Sequence, residues 1–595
     1  MRQLLATLLI AAVSLTVSAK PSEGERFNQW LDANWEETLQ RQPVLATSLG
    51  DPRYNGQLVD ETTAAWRAEN RRYLERQLKQ LKGFKTQALD ARDRLSHGIL
   101  KLQLEESLQG ERFPDWMLPL NQTGGMPSFL ARLGSGQSLQ PFKTTKDYDD
   151  WMQRLSLAVP MLDGMVANMR VGIAKGVVQP RPVVEKVLPQ LAALVVADPE
   201  QSIFWGCIKA FPDAVPAADR VRITAQMRQL LTDKVTPAYQ RLHHFVRDSY
   251  LPKARSSTAW SALPDGKAWY AHYVQSSTTT TQSPEVIHAL GQQEVARILG
   301  EMEAVRREVK FDGDLKAFFK HLQDEPRYYY QKPEDLLAGY RALQTRINGL
   351  LPKLFDIAPK ADYEVREVEA FRAESAAGAS YQSPSPDGAR PGVFYVNTFN
   401  LMAQPIFGME TLSLHEASPG HHFQVAIAQE DTALPKFRRF NTFYVSYVEG
   451  WALYAESLGK ELGLFTDPYQ WYGRLSDEQL RAMRLVVDTG LHNKGWSRQQ
   501  AIDYMLANSS MVESDVVSEV ERYIANPGQA LGYKIGQLEI SKLRRKAEAA
   551  LGARFDVKKF HRLVLTSGQL PMRVLRDTVN AWIQAELQAE KRSGQ

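Results

Sequence analysis

The sequence predicts a mainly α-helical protein in which one large helical body encloses a cleft, with a small β-hairpin or sheet beside the helix of a histidine-rich motif. Apolar residues recur at three- and four-residue spacing along most of the 595 residues, as they do in helices that bury one face. Strand-like segments are confined to one short region, and neither an internal repeat nor a low-complexity linker divides the chain. We therefore expect one continuous helical domain.

The first 19 residues have the organisation of a secretory signal peptide. A basic start at Arg2 precedes an apolar run from Leu4 to Val17, and small residues up to Ala19 form a cleavage signal. The run of about 14 residues is shorter than the ~20 that cross a bilayer. We expect residues 1–19 to be removed and the mature protein to be exported, either periplasmic or secreted, without insertion into a membrane.

The remaining domain, 20–595, is expected to comprise a mostly helical lobe at 20–370 and a lobe at 371–595 that carries the small β element and the histidine-rich motif. Pro284 and Pro333 stand at plausible first helical positions. Helical periodicity is clearest in Arg26–Arg41, Thr62–Gly83, Lys146–Gly172, Ala218–Asp248, Pro284–Val309, Glu430–Leu462, Arg474–Leu491 and Arg498–Met505.

A few segments depart from the helical pattern. Asn121–Gln140 is rich in Gly and Ser and is expected to be a loop, and Ser276–Gln282 contains four threonines, which favour extended structure. Short strands are expected at Tyr363–Ala370, Gly378–Tyr381 and Gly392–Asn397, the last two separated by a turn at 385–388. These segments predict a β-hairpin just before the histidine-rich motif.

Composition excludes some classes of partner and ligand. Lys and Arg exceed Asp and Glu by only four and form no cluster, so a nucleic-acid partner is not expected. The single cysteine, Cys207, lies in an apolar segment and is expected to be a core residue. No disulfide can form within the chain, and any metal must be held by histidines and carboxylates. With no cysteine directly after Ala19, a lipid anchor is not expected.

The richest motif is His415-Glu416-Ala417-Ser418-Pro419-Gly420-His421-His422. In an ideal helix His421 would be rotated by about 240° from His415, and His422 would lie about 10.5 Å further along. Pro419 and Gly420 offer a bulge that returns His421 to the side of His415. The alternative is a helix that ends at Pro419, followed by two capping or solvated histidines.

A further candidate ligand, Glu449, lies 28 residues after His421 in a strongly apolar helical segment. A buried carboxylate is costly unless it is paired or bound to a metal. Glu449 therefore suits a third metal ligand, although an ion pair with Arg438 or Arg439 would also satisfy it. Glu456, seven residues later on the same face, is a candidate for orienting a histidine from outside the metal shell, or for structural pairing.

The motifs H-E-x-x-P-G-H-H-x-Q (His415–Gln424) and E-G-W-A-x-Y (Glu449–Tyr454) resemble the bacterial family known as domain of unknown function 885, which is grouped with gluzincin-type zinc peptidases. The resemblance implies that His415, His421 and Glu449 bind one Zn²⁺ and that Glu416 is the general base. It favours His421 over His422 as ligand, which leaves His422 as a supporting residue. The spacing is two residues longer than in the ordinary H-E-x-x-H motif.

The resemblance also implies an activity, the hydrolysis of short peptides by zinc-activated water. Zinc hydrolysis of a non-peptide amide or ester, and a non-catalytic binding role with a vestigial site, remain alternatives. Oligomeric state stays open. The candidate oxyanion donors are Tyr533, Tyr523 and His492, each of which could instead be a structural core residue.

The predicted strand Gly392–Asn397 could pair with an extended peptide substrate. Its Tyr395 and Asn397, together with Arg390 in the preceding turn, are the candidate substrate-binding residues. Arg390 would meet a substrate carboxylate, or lie solvated in the turn.

Overall fold

The computed structural model describes residues 20–369, 373, 377–386, 388 and 390–593, so the predicted signal peptide lies outside the described residues. The helices before the sheet are α1 Glu23–Arg41, α2 Pro43–Ser48, α3 Ala64–Lys82, α4 Ala91–Gly110, α5 Met126–Gly134, α6 Thr145–Lys175, α7 Arg181–Ala192, α8 Ala217–Leu230, α9 Thr236–Phe245, α10 Gly266–Thr278, α11 Pro284–Glu308, α12 Leu315–Asp324 and α13 Pro333–Leu350.

Three strands follow, namely β1 Tyr363–Glu367, β2 Ala379–Gln382 and β3 Gly392–Val396. The helices after the sheet are α14 Met409–Glu416, α15 His421–Glu430, α16 Lys436–Phe440, α17 Val445–Ser457, α18 Gly459–Leu462, α19 Pro468–His492, α20 Arg498–Ala507, α21 Glu513–Ala525, α22 Leu531–Leu551, α23 Val557–Thr566 and α24 Met572–Ser593. The predicted mainly α fold with a small sheet is confirmed.

Local sequence signals account for several helix starts. Pro284 and Pro333 begin α11 and α13, and the Ser283 side chain accepts a hydrogen bond from a first-turn amide of α11. Three predicted segments differ from the structure. Glu430–Leu462, expected to be helical throughout, is interrupted at residues 431–435 and 441–444. The segment expected to be a loop contains α5, whose apolar residues Leu130 and Leu133 are buried, and α10 extends to Thr278 in the threonine-rich segment. In both places burial of an apolar face outweighs weak helix propensity.

The sheet has the order β1-β3-β2, with β1 parallel to β3 and β2 antiparallel to it. The hairpin predicted from Gly378–Tyr381 and Gly392–Asn397 is therefore confirmed. The prediction that Gly392–Asn397 offers a free edge was wrong, because β3 is the central strand and has a neighbour on each side. A hairpin alone buries little apolar surface, and the pairing of β1 with β3 completes a small face of buried Tyr363, Val365, Phe394 and Val396.

The largest apolar core joins helices from both ends of the chain, including Phe27 and Trp35 of α1 with Leu543 of α22 and Leu575 of α24. A second core surrounds α6, which is long and apolar enough to cross a membrane by length and composition alone. Its apolar residues pack in that core around Trp151, and a core helix meets the same criterion.

Helix α17 packs closely on α22, which determines where its acidic residues lie. A Cβ atom at Gly536 would stand 1.8 Å from the Ser446 carbonyl oxygen, and one at Gly450 would stand 2.6 Å from the Gly536 Cα. Glycine at both positions lets the two backbones touch. This close packing fixes the position of α17, which carries Glu449 and Glu456, against α22.

Candidate metal centre

The histidine motif forms two helices joined by a sharp break. Helix α14 ends at Glu416, residues 417–420 are non-helical, and α15 begins at His421. The predicted bulge is thus a complete interruption, with a cis bond between Ser418 and Pro419. The rings of His415 and His421 have centroids 4.7 Å apart and lie nearly perpendicular. The break therefore brings together two side chains that a continuous helix would separate.

Two contacts hold the break in place. A Cβ atom at Gly420 would lie 1.9 Å from the His415 carbonyl oxygen and 2.3 Å from that of Leu414, so only glycine allows the chain to fold back so closely. The indole Nε1 of the buried Trp451 donates a hydrogen bond of 2.8 Å to the Pro419 carbonyl oxygen. Helix α17 thereby fixes the connection as well as supplying acidic side chains.

Glu449 completes a three-residue group with the two histidines. Its Oε2 atom lies 3.5 Å from His415 Nε2 and 3.4 Å from His421 Nε2, and potential ligand atoms of the three residues lie within 4.8 Å of one another. These separations are long for an N–H···O hydrogen bond. They match the roughly 3.3 Å edge expected of a tetrahedron with metal–ligand bonds of about 2.0–2.1 Å.

The donor set also fits a divalent cation chemically. Glu449 Oε2 is buried and accepts no hydrogen bond from any residue that the structure describes. Burial alone would raise the pKa of Glu449, but His421 and His415 lower it well below its ordinary value. An ionised oxygen facing two imidazole nitrogens is the arrangement of a His-His-Glu zinc site.

Glu456 lies behind His415, on the side away from Glu449. Its Oε1 atom is 2.7 Å from His415 Nδ1, and both side chains are almost fully buried. Burial would lower the pKa of His415, but Glu449 and Glu456 together raise it to about 10. The carboxylate accepts from Nδ1–H, which leaves Nε2 as the nitrogen directed toward Glu449 and suited to bind a metal.

Glu416 follows His415 directly at the end of α14 and is 9% exposed. Across the described part of the chain its carboxylate forms no hydrogen bond or ion pair, whereas Glu449 and Glu456 both contact histidines. Its charge nonetheless acts on His415. Glu416 is therefore an acid next to His415 whose carboxylate has no hydrogen-bond or ion-pair partner among the described residues.

Of the three proposed oxyanion donors, Tyr533 is the one that the structure brings toward this group. It lies partly exposed on α22, and burial followed by the Glu449 charge raises its pKa. Tyr523 is fully buried, and its hydroxyl contacts Glu519 and accepts from Arg484 Nε. Tyr523 is therefore engaged in the ion-pair network of Arg484 and Glu519.

The structure does not bring His492 to the group of His415, His421 and Glu449. Its Nε2 donates to the Tyr523 carbonyl oxygen at 2.9 Å, and its Nδ1 accepts from the Trp260 amide at 3.4 Å. Burial lowers its pKa to about 3. A neutral histidine with both nitrogens bonded to backbone groups has a structural role, so the proposed oxyanion role is wrong for His492.

His422 points to the sheet. Its Nε2 lies 3.1 Å from the Ala361 carbonyl oxygen, which can only accept, so its Nδ1 accepts from the Tyr381 hydroxyl at 3.0 Å. Burial lowers its pKa to about 4. The prediction that His422 supports the metal ligands was wrong, because the second helix starts at His421 and successive residues on it face about 100° apart.

The three predicted substrate-binding residues are tied to the sheet and its loops. Arg390 lies in the hairpin turn, where its amide donates to Ser385 Oγ. The Tyr395 hydroxyl donates to Gln382 Oε1 at 3.3 Å. Asn397 is buried, and its Nδ2 donates to the Ala373 carbonyl oxygen at 2.7 Å. These contacts give Asn397 a clear structural role.

Sequence reasoning missed two arginines of α19. Arg481 and Arg484 are 8% and 6% exposed; Arg481 Nη2 lies 3.9 Å from Glu456, and the Arg484 guanidinium stacks 4.4 Å from the centre of the Tyr533 ring. The signal was present in the periodicity, since charged residues recur at three- and four-residue spacing along α19, at Asp477, Arg481, Arg484 and Asp488, and so share one face of the helix.

The family model described as "Bacterial protein of unknown function (DUF885)" matches residues 43–579. The chain belongs to this family. No curated protein matches it. Among solved structures, the putative lipoprotein from Colwellia psychrerythraea is 30% identical with a TM-score of 0.87, covering 95% of this chain and all of that one. A putative lipoprotein of unknown function from Shewanella oneidensis is 18% identical with a TM-score of 0.66, covering 93% and 99%; this second likeness shows the fold alone.

Proposed function

We propose that this DUF885 protein is a gluzincin-like zinc hydrolase that cleaves the amide bonds of short peptides. The observation that carries the proposal is the convergence of His415, His421 and Glu449, with ligand separations that suit a tetrahedral zinc ion. Glu456 orients His415 from behind, and the unpartnered Glu416 lies beside it. A protein that only stored a metal would have no use for a free carboxylate at that position.

A zinc ion held by these residues would supply Lewis acidity to a carbonyl group and to a water molecule. The work of the chain itself is proton transfer and charge stabilisation. Glu416 takes a proton from the attacking water and passes it to the leaving amine. The Tyr533 hydroxyl, on the Glu449 side of the site, donates a hydrogen bond to the developing oxyanion.

The strand that receives the substrate in this proposal is β2, instead of the central β3. Strand β2 is half-buried, pairs with β3 along one edge, and packs against α14 and α15. An extended peptide adding to its other edge would run alongside the two helices that carry the histidines. Tyr381, in β2, also contacts His422, which links the strand to the motif.

We further propose that the protein works outside the cytoplasm, in the periplasm or the medium. The signal-peptide pattern of residues 1–19 and the description of the Colwellia psychrerythraea relative as a putative lipoprotein both support an exported or envelope-associated location.

Metal analysis and a Glu416→Gln variant test the function. Purified protein is expected to carry about one zinc per chain and to cleave members of a peptide library, detected by mass spectrometry, until a chelator is added. Glu416→Gln should keep the zinc and lose at least about a hundredfold in turnover. Glu461→Gln, at a half-exposed position on α18, is the matched control. Zinc-free protein, or full activity in Glu416→Gln, would overturn the proposal.

A further inference from the structure

Two buried arginines of α19, Arg481 and Arg484, lie next to the proposed metal centre, and each contacts a different residue there. Arg481 approaches Glu456 at 3.9 Å, and Glu456 bonds to His415. Arg484 is about one turn further along the same face, and its guanidinium covers the ring of Tyr533. Tyr533 lies on α22 between Gly532 and Gly536, both of which pack against Ser446 of α17, the helix that carries the proposed ligand Glu449.

The charges around Arg484 are not balanced by its direct neighbours. Arg484 Nε and Nη2 lie 3.2 and 3.0 Å from Glu519 Oε2. The same carboxylate also pairs with Arg522 at 3.0 Å and accepts from the Tyr523 hydroxyl. Two guanidinium groups therefore share one carboxylate, which leaves an excess of positive charge in a region of low exposure.

Arg484 also has an unused donor. Its Nη1 atom is buried and has no hydrogen-bond partner among the residues that the structure describes, although the residue is only 6% exposed. An unpaired buried N–H group is costly, and more so when it is charged. Such a group is stable in a resting protein when it serves a ligand that arrives later.

A satisfied arginine of the same protein shows the contrast. Arg544, on α22, bonds through Nε to Glu548, through Nη1 to Glu461 and Tyr454, and through Nη2 to Glu461. Each of its three guanidinium nitrogens has an acceptor. Arg484, in contrast, has a buried Nη1 with no partner among the described residues. Other arginines also have one such nitrogen, namely Arg255, Arg438, Arg474 and Arg481. Arg484 differs from them in that its guanidinium lies against the ring of Tyr533.

We propose that Arg484 binds a carboxylate of the substrate through Nη1, with Tyr533 beside it. This inference rests on the proposed peptidase function and names its substrate class: peptides that present a carboxylate close to the scissile bond. A guanidinium is suited to this because its planar donors match a carboxylate. The carboxylate is either the C-terminal one, which would make the enzyme trim peptides from that end, or an Asp or Glu side chain.

Matched substrates separate the two sources. Wild-type protein is given a short peptide with a free C-terminus, the same peptide as its C-terminal amide, and a pair that differs only in an internal Glu or Gln. We expect the carboxylate member of one of the two pairs to be cleaved with at least a tenfold higher kcat/KM than its neutral partner. A preference for the neutral member would contradict the inference. Equal values, within threefold, in both pairs would refute the inference while leaving the peptidase function standing.

Binding supplies a readout that does not depend on turnover. Zinc-loaded Glu416→Gln protein is titrated with the same four peptides by calorimetry. The preferred carboxylate peptide is expected to bind at least tenfold more tightly than its neutral partner. If wild-type protein cleaves no peptide, the proposed function fails, and the titration still decides whether the site selects a carboxylate; equal binding of both pairs overturns the inference.

Two variants then assign the preference to this residue. Arg484→Gln should reduce the ratio between carboxylate and neutral peptide to near one, and Arg484→Lys should retain part of it, because the charge remains without the planar donors. Arg544→Gln is the control and should keep the full ratio. A preference unchanged in Arg484→Gln would contradict the assignment. If Arg484→Gln does not fold, the ratio between carboxylate and neutral peptide is compared between Arg484→Lys and wild type, and an unchanged ratio in Arg484→Lys contradicts the assignment.

Discussion

The hydrogen bond between Glu456 and His415 offers a sharp test of the metal centre. The two atoms are 2.7 Å apart and both side chains are nearly inaccessible, at 2% and 4% exposure, which is the length and setting of a charge-assisted bond. Glu456→Gln keeps the shape and an acceptor oxygen but removes the negative charge. The change therefore tests whether the carboxylate strengthens metal binding through His415.

Removal of a partner behind a metal-binding histidine typically weakens binding by about 10- to 100-fold, or roughly 1.4–2.7 kcal/mol. Arg481 lies 3.9 Å from Glu456 but pairs more closely with Asp477, at 2.8 Å. The loss of the Glu456 charge should therefore act mainly through His415. We therefore expect Glu456→Gln to raise the zinc Kd by at least about tenfold.

Zinc affinity is measured by competition with a chelator of known affinity, beside denaturant unfolding of the metal-free proteins. Glu461→Gln, on the neighbouring α18 and half-exposed, is the control and should bind zinc as the wild type does. A Kd for Glu456→Gln within threefold of wild type, in a normally folded protein, would refute the reasoning.

Three further predictions follow from the same contacts. Gly420→Ala should lower the free energy of unfolding by about 3 kcal/mol or more and abolish tight zinc binding, because its Cβ would meet the His415 carbonyl oxygen. The control Gly300→Ala, whose Cβ would have no atom within 4 Å, should be neutral or stabilising. Normal zinc binding by Gly420→Ala would contradict this prediction. Removing zinc with a chelator should lower Tm, since excess zinc at about 1,000 times Kd stabilises by about 4 kcal/mol; an unchanged Tm counts against the site. The pKa of His492 is about 3 in the folded protein, below its unfolded value, so the stability that neutral His492 contributes is present above about pH 6.5 and is lost on acidification. Between pH 7 and pH 5, the free energy of unfolding measured in urea should therefore fall by about 2 kcal/mol less for His492→Gln than for wild type. Equal losses in the two proteins would disprove this.

Much of the fold was accessible from local patterns. Helical periodicity located many helices, such as α1, α6, α11 and α19, but not α22, α23 or α24. Proline at the first position marked the starts of α11 and α13. The turn at 385–388 and its flanking segments predicted the hairpin. The pattern failed where long-range packing decided the outcome, as in α5, whose glycine- and serine-rich surroundings concealed a buried apolar face.

The candidate site divides in the same way. The sequence by itself determined the chemistry available, because one cysteine in an apolar segment leaves only histidines and carboxylates as candidate ligands, and the resemblance to the family's motif pointed to His415, His421 and Glu449 among them. Only the tertiary structure decided that Pro419 and Gly420 break the helix completely, since that depends on contacts with α17. The tertiary structure also showed that His422 and His492 have structural roles, because their ring nitrogens bond to groups away from His415 and His421.

The buried arginines illustrate the limit most clearly. Local sequence places Arg481 and Arg484 on one face of a helix but says nothing of what they meet. Their roles depend on Glu456, Tyr533 and Glu519, which come from three other helices. The chemistry that a side chain can offer is a local property of its residue type. The pairing of buried charges is instead set by the packing of distant segments, which the sequence alone does not reveal.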